Sequence, residues 1–444
     1  MKRIIAALLL LTGIHAFAQD FSTGYFLKGY TYAYRLNPAL RPARGFISLP
    51  AISNINVNVG GNVGADSFFF PVSGGKVGTF RHPEVSATDF LSGLPERSIL
   101  APNINTNIFG LGFKAGQAFH TFDIDVRSLN GISASKGLLQ YIKEGAAGGI
   151  TIPEITVDDQ TFAEIAYGVS FPVGERFVLG GRLKALVGGA MLQARVTDVT
   201  ITENGDYETF RAKGEARVAL NELESGTQTS PSGGATDVID WEKTDLHKFK
   251  GISGLGAAAD IGMTFRLTEG IRLSASLSDL GGIRWETPVA AKTSTTDSWE
   301  REISDSFDFE SMLNKFEFHK SGETATFRML PMTLRLGAEY ALNEKIGFGA
   351  LATQRTGLFP LTELRGSVNT FLGNFFGLSA SAAISNLGLS WGAAMNIDAH
   401  AFDLFLGFDS IPTRFSTQYI PLGHANIAAT LGLSITFGKR VAIR

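Results

Sequence analysis

The side chains best equipped for chemistry in this chain are charges that fall singly, at alternate positions of regular segments. They are Asp123, Asp125, Arg127, Glu164, Arg182, Lys184, Asp260, Arg266, Arg272, Arg335, Glu339 and Asp398. Nothing in their spacing groups two carboxylates into a general acid and base, so catalytic residues are expected to be none. The seven histidines are scattered without the paired spacing that holds zinc on one helix face, and no metal site is expected. The absence of cysteine removes disulfides, thiol catalysis and sulfur ligation together. No serine elbow of the G-x-S-x-G kind is expected. The run GLGFKAG, Gly110 to Gly116, has the glycine density of a nucleotide loop. It lies between two expected strands rather than ahead of a helix, so it fails as a phosphate site, and no cofactor is expected. A net charge of −3, evenly spread, offers nothing to nucleic acid. An enzyme is therefore not expected. The charges read first as ion pairs across a solvated interior, and second as a lining that selects solutes or holds a plug.

The elements that must position these charges are strands. In AAADIGMTFRL, residues Ala257, Ala259, Ile261, Met263, Phe265 and Leu267 share one face, while Asp260, Thr264 and Arg266 share the other. Alternation over some ten residues, apolar on one side and polar on the other, is the pattern of a strand in a membrane barrel. After the turn TEG, Ile271, Leu273, Ala275 and Leu277 oppose Arg272, Ser274, Ser276 and Ser278. The same pattern recurs at Leu334 to Tyr340, Leu378 to Ser385, Ser390 to Asp398 and Ile427 to Phe437. The fold class expected is all-β: an antiparallel transmembrane barrel of 14 strands. These lie near 46–59, 104–114, 118–128, 161–171, 176–190, 254–267, 270–285, 330–341, 345–354, 362–372, 375–385, 388–398, 400–409 and 425–437. A count of 16 follows if the hairpin around Asn204-Gly205 crosses the membrane. Its flanks are polar on both faces, so it is placed above the membrane instead. A soluble β-sandwich is the third reading, with strands that usually run five or six residues.

Short turns (KAGQA, PVGE, LTEG, LNEK, LGN) alternate with long connections, chiefly 60–103, 129–160, 191–253 and 286–329. Short periplasmic turns and long outer loops put both termini in the periplasm. SASKGLLQYIKEG is expected to form a short helix ending at Gly145, with Leu138, Leu139 and Ile142 packing on the barrel mouth. The stretch DSFFFPV presents Phe68, Phe69 and Phe70 either to a partner or to the mouth itself. The abundance of Gly (51) and Phe (34) suits small residues in tight strands and aromatic rings near lipid interfaces.

The chain opens with Met1-Lys2-Arg3, an apolar run from Ile4 to Leu11, and small residues at Ala16 and Ala18. This is the form of a secretory signal peptide, residues 1–18, cut before Gln19. The rest contains no apolar stretch long enough for a membrane helix, so a membrane location requires a closed barrel, residues 46–444. Residues 19–45 remain between leader and barrel. They include AYRLNPALRPARG, with two prolines and three arginines but no period.

The tripeptide Asn37-Pro38-Ala39 ahead of the first strand, the leader and the 14 alternating strands together resemble the long-chain fatty-acid transporter superfamily. That superfamily includes the outer-membrane shuttle protein of type IX secretion. SASLSDLGGIRWE (Ser274 to Glu286), LPMTLRLGAEY (Leu330 to Tyr340) and GLSITFGK resemble a Bacteroidota family of outer-membrane barrels of unknown function. The resemblance implies an outer-membrane location and a segment before the first strand that folds into the lumen as a hatch, with Asn37, Pro38 and Ala39 in it. It also implies partners: outer-membrane lipid, a hydrophobic small molecule, or secretion subunits and exported cargo. Irregular backbone at membrane depth is tolerated only inside protein, which suits a hatch. Arg35, Arg41 and Arg44 would then meet lumen acids such as Glu164, Asp260 and Glu339.

Overall fold

A sheet whose strands are apolar on one face and polar on the other can satisfy both faces by closing on itself, one face to lipid and one to an interior. The computed structural model describes residues 21–48, 53–220, 224–229, 235–240, 251–286, 288–293, 298–302, 319–320, 325–357, 360–372, 375–411 and 426–440. The expected leader, residues 1–18, lies outside them.

Fourteen antiparallel strands form a closed barrel. They are β1 (Gly45–Ser48, resumed as Asn54–Gly61), β2 (Arg97–Ala115), β3 (Ala118–Leu129), β4 (Ile150–Val173) and β5 (Phe177–Asn204). There follow β6 (Gly254–Arg266), β7 (Ile271–Trp285), β8 (Thr333–Ala341), β9 (Ile346–Arg355) and β10 (Leu361–Leu372). The last four are β11 (Phe376–Ser385), β12 (Gly388–Asp398), β13 (Phe402–Ile411) and β14 (Asn426–Phe437). Each strand pairs with the next, and β1 closes the ring on β14 with Gly45 opposite Phe437 and Asn54 opposite Gly432. Between Ile47 and Asn54, β1 takes seven positions where β14 takes three, so the seam is irregular. It is still hydrogen-bonded: the Leu433 amide donates to the Ser53 carbonyl across it (2.7 Å), and Ser53 Oγ is held on the other side by the Asn107 carbonyl of β2 (2.6 Å).

The faces sort oppositely to those of a water-soluble protein. Ile384 and Leu364 are 69% and 63% exposed on the outside, while Arg335 is 2% exposed within. An exterior belt of large apolar residues around a polar interior is what hydrocarbon solvates and water does not. The soluble sandwich is overturned on this ground. The count of 16 is overturned too. Tyr207–Leu220 turns back from Asn204 and pairs with the far end of β5, never entering the ring.

The expected connections 60–103, 129–160 and 191–253 are too long. Strands β2, β4 and β5 begin or end well beyond the expected limits, at Arg97, Ile150 and Asn204. Past the apolar belt both faces of a strand meet water or loops, so alternation no longer marks it. The short helix is found at Lys136–Glu144, with Gly145 at φ 81° beyond it. Leu138 and Tyr141 pack on Ile152, Val199, Ile201 and Phe210, and Leu139 packs against Val63, Phe90 and neighbours. Of the three phenylalanines, Phe68 and Phe70 join that second cluster, and only Phe69 stands out at 41% exposure.

Candidate functional site in the barrel lumen

Residues 21–44 lie inside the barrel. Pro38 and Pro42 lack an amide donor and discourage regular structure, and the segment is built instead from short 3₁₀ turns at Ser22–Gly24 and Thr31–Arg35. Its cohesion is aromatic. Phe21, Tyr25, Phe26, Tyr30, Tyr32 and Tyr34 are buried together with Phe46, Phe119, Leu351 and Phe405 of the wall. The Tyr30 and Phe405 rings lie 4.1 Å apart between centroids. A buried phenol needs a partner for its hydroxyl, and three find one on the wall. Tyr25 donates to Ser274 Oγ (3.0 Å), Tyr34 donates to Asp123 (2.6 Å), and the Tyr32 and Ser48 hydroxyls are 2.7 Å apart. The Ser22 amide donates to Asp409 (2.7 Å), Ser276 Oγ donates to the Leu36 carbonyl (2.9 Å), and Thr31 is hydrogen-bonded to Asp403.

The wall makes room for this segment with glycine. A Cβ added at Gly262 of β6 would fall 2.0 Å from Asn37 Oδ1, and one at Gly180 of β5 would fall 2.3 Å from the Pro38 carbonyl carbon. Gly392 faces Thr23, Gly407 faces Phe21 and Gly349 faces Phe26 at similarly forbidden distances. Part of the glycine content expected to serve tight strands therefore seats the lumen segment. Asn37 is fully buried; its Nδ2 donates to Tyr25 Oη (2.9 Å) and the Ala275 carbonyl (3.3 Å), and its Oδ1 accepts the Ala39 amide (2.9 Å).

A belt of ion pairs crosses the half of the wall made by β3 to β7. Asp260 lies directly across from Arg182 in the β5–β6 register, 3.2 Å away, and also accepts from Lys184 at 2.8 Å. Arg182 reaches Asp123 at 2.9 Å, and Arg127 reaches Glu164 at 2.7 Å. Arg35 of the lumen segment enters the belt between Asp125 (2.5 Å) and Asp123 (3.4 Å). Arg272 pairs with Glu339 (2.5 Å), its cross-strand neighbour. Arg335 donates to the Leu36 carbonyl (3.4 Å) and Ser278 (3.2 Å). A second cluster joins Arg365, Glu363 and Asp409 to Thr23. Buried carboxylates this closely matched by cations hold a geometry.

The partners of the segment's arginines differ from the expected ones. Arg35 takes Asp123 and Asp125, and Arg44 takes Asp398 (3.4 Å). Arg41 donates to the Gln117 carbonyl at the rim (3.3 Å). Glu164, Asp260 and Glu339 are occupied by cations of the wall itself. Arg266 stays outside the belt and donates to the Glu175 carbonyl at a short turn (2.6 Å), because its position is the last of β6. A G-x-S-x-G string does occur, Gly388 to Gly392, but wholly within β12 and so not at a strand-to-helix turn.

Asp279 escaped the alternation argument, which points it outward beside Ser278. A bulge between Ala259 and Ile261 shifts the β6–β7 register, and Asp279 itself has φ 63°. Such a bulge re-aims a side chain. Asp279 turns inward, 7% exposed, and accepts two hydrogen bonds from Arg127 (2.8 and 2.9 Å) and one from Lys184 (2.7 Å). An aspartate on a lipid-facing position was the signal available. Asp279→Ala should destabilise the folded barrel by about 3–5 kcal/mol, since it strips a carboxylate from two buried cations. The check is the denaturant midpoint of the heat-modifiable form; an unchanged midpoint would mean the belt contributes nothing.

Two cavities flank the segment. One of about 70 Å³ lies at the short-turn end among Tyr25, Lys28, Arg41, Thr264 and Arg272. One of about 110 Å³ lies at the long-connection end, among residues of the wall and of the connections beyond it.

A protein-family model described as "Family of unknown function (DUF5723)" matches residues 38–409. No curated protein matches the chain. Among solved structures, the chain is similar to the Pseudomonas putida toluene transporter TodX, with 10% identity, 95% of this chain and 96% of that chain covered, and a TM-score of 0.46. It is similar to a Pseudomonas aeruginosa FadL homologue at 9% identity, covering 96% and 100%, with a TM-score of 0.45. It is also similar to the CymD monoaromatic hydrocarbon channel at 10% identity, covering 96% and 95%, with a TM-score of 0.42.

Proposed function

The chain belongs to this family of unknown function, and on that footing we propose that it is an outer-membrane barrel whose N-terminal segment is a movable plug in a conduit for small molecules. What supports the reading is residues 21–44, a peptide with its own aromatic core packed on inward residues of the wall, with one cavity against it at the short-turn end and another beyond it at the long-connection end. The apolar exterior suits a bilayer. Gly45 and Phe437 meet at the short-turn end, which suits a barrel entered and left from the periplasm. A hydrophobic cargo, the class implied by the fatty-acid-transporter resemblance, would have to displace or slip past the aromatic plug. A role in holding secretion subunits or exported cargo would need apolar loop surface; of Phe68, Phe69 and Phe70, Phe69 alone is prominently exposed.

The absence of cysteine allows a direct test. The Thr23 and Ser381 hydroxyl oxygens are 2.6 Å apart, so Thr23→Cys with Ser381→Cys should form a disulfide between plug and wall. In planar bilayers the oxidised protein is expected to show no openings, and reduction is expected to restore them. Equal openings in both forms, with the cross-link verified, would refute a moving plug. No openings in either form would refute the conduit.

A further inference from the structure

The chamber at the long-connection end is lined by amides and charged groups, with Ala101, Leu129, Met329 and Pro331 among them. Inward positions of β1 carry Asn54, Asn56 and Asn58, and those of β2 carry Asn103, Asn105 and Asn107. Asn56 stands opposite Asn105 and Asn58 opposite Asn103 in the register, so two adjacent strands present a double row of carboxamides. The cavity of about 110 Å³ takes Asn103 and Asn105 from this array and adds Asn130, Gln160, Arg127 and Arg328.

Both acids of its lining, Asp158 and Asp279, are already matched. Arg127 is held by Glu164 and Asp279, and Arg328 Nη2 lies 2.5 Å from Asp158. What remains open is hydrogen-bonding capacity on two carboxamide oxygens and one guanidinium nitrogen. Gln160 is 95% buried and its Oε1 has no partner; Asn105 Oδ1 and Arg328 Nη1 are likewise buried and unpartnered. A ligand completing this set must donate to carboxamide oxygens and accept from a guanidinium. A hydroxyl group does both. A carboxylate has no proton to donate at neutral pH. A hydrocarbon would leave every one of these groups unpaired, each at a cost of roughly 1–3 kcal/mol.

We infer that this chamber is a binding site for a neutral, hydroxyl-rich solute of the sugar class. The inference gives a substrate class to the conduit proposed above, but binding itself needs only the chamber.

The test is a saturation-transfer NMR titration of the full mature chain with glucose, in a detergent without a sugar headgroup. Glucose uptake into proteoliposomes is measured in parallel. Saturable glucose binding is expected, weakened about tenfold or more by Asn105→Leu and, separately, by Gln160→Leu, each checked for heat-modifiable migration. Oleate in excess should leave it unchanged. Absence of saturable binding, folded variants that bind like the parent, or displacement by oleate would each overturn the site. Binding without uptake would retain the site and overturn passage; uptake without saturable binding would do the reverse.

Discussion

A chain lacking residues 21–44 should insert as the same fourteen-stranded barrel and conduct ions at least about tenfold better than the intact protein. The wall's ladder is complete without the segment, since every neighbouring pair of strands, including β1 with β14, is hydrogen-bonded on its own account. Removal takes away the aromatic residues that fill the lumen from Phe21 to Tyr34. Barrels of similar strand number hold water wherever side chains or inserted chain do not fill them. The belt acids Asp123 and Asp125 lose Arg35 but gain water, which limits the cost to folding. Single-channel recording measures the outcome. Heat-modifiable barrel with unchanged conductance would mean that the wall, and not the segment, closes the passage.

The second large effect is expected from adding three carbons at one glycine of the wall. Gly262→Val and Gly180→Val place side chains where Asn37 Oδ1 and the Pro38 carbonyl now sit. Neither atom belongs to a flexible chain end. Pro38 is backbone, and Asn37 is tied to Tyr25, Ala275 and Ala39. The substitutions should therefore shift the whole tripeptide rather than rotate one side chain. Overpacking of this kind costs about 1–3 kcal/mol, paid by the closed state alone, which corresponds to a rise of roughly five- to a hundredfold in open fraction. Gly366→Val, at a position where an added Cβ meets nothing within 4 Å, should leave gating unchanged. Equal behaviour of all three variants would refute the seat.

The barrel was legible because lipid imposes a rule that each strand must obey separately. The alternation of Ile261 and Met263 with Asp260 and Thr264, repeated strand by strand, needs no knowledge of neighbours. Where that rule lapses, legibility lapses with it. Beyond the apolar belt the outer ends of β2, β4 and β5 read as loops, although the structure continues them as paired strands. Asp279 was lost to the same logic, because a bulge changes the face of a residue without changing its neighbours in sequence. The carboxamide rows show the converse. Asn54, Asn56 and Asn58 alternate as plainly as any lumen charge, but an amide carries no charge to mark it.

Local pattern was thus sufficient for the class of fold and the strand count. It could not say which acid meets which arginine, nor that glycines at 180, 262, 392 and 407 form one seat. Those facts join residues hundreds of positions apart, Thr23 with Asp409 and Leu36 with Arg335 among them. They depend on the shear and closure of the ring, which bring distant strands to a common height. An alternating pattern specifies the face a side chain occupies, but only the closed barrel specifies what stands across the lumen from it.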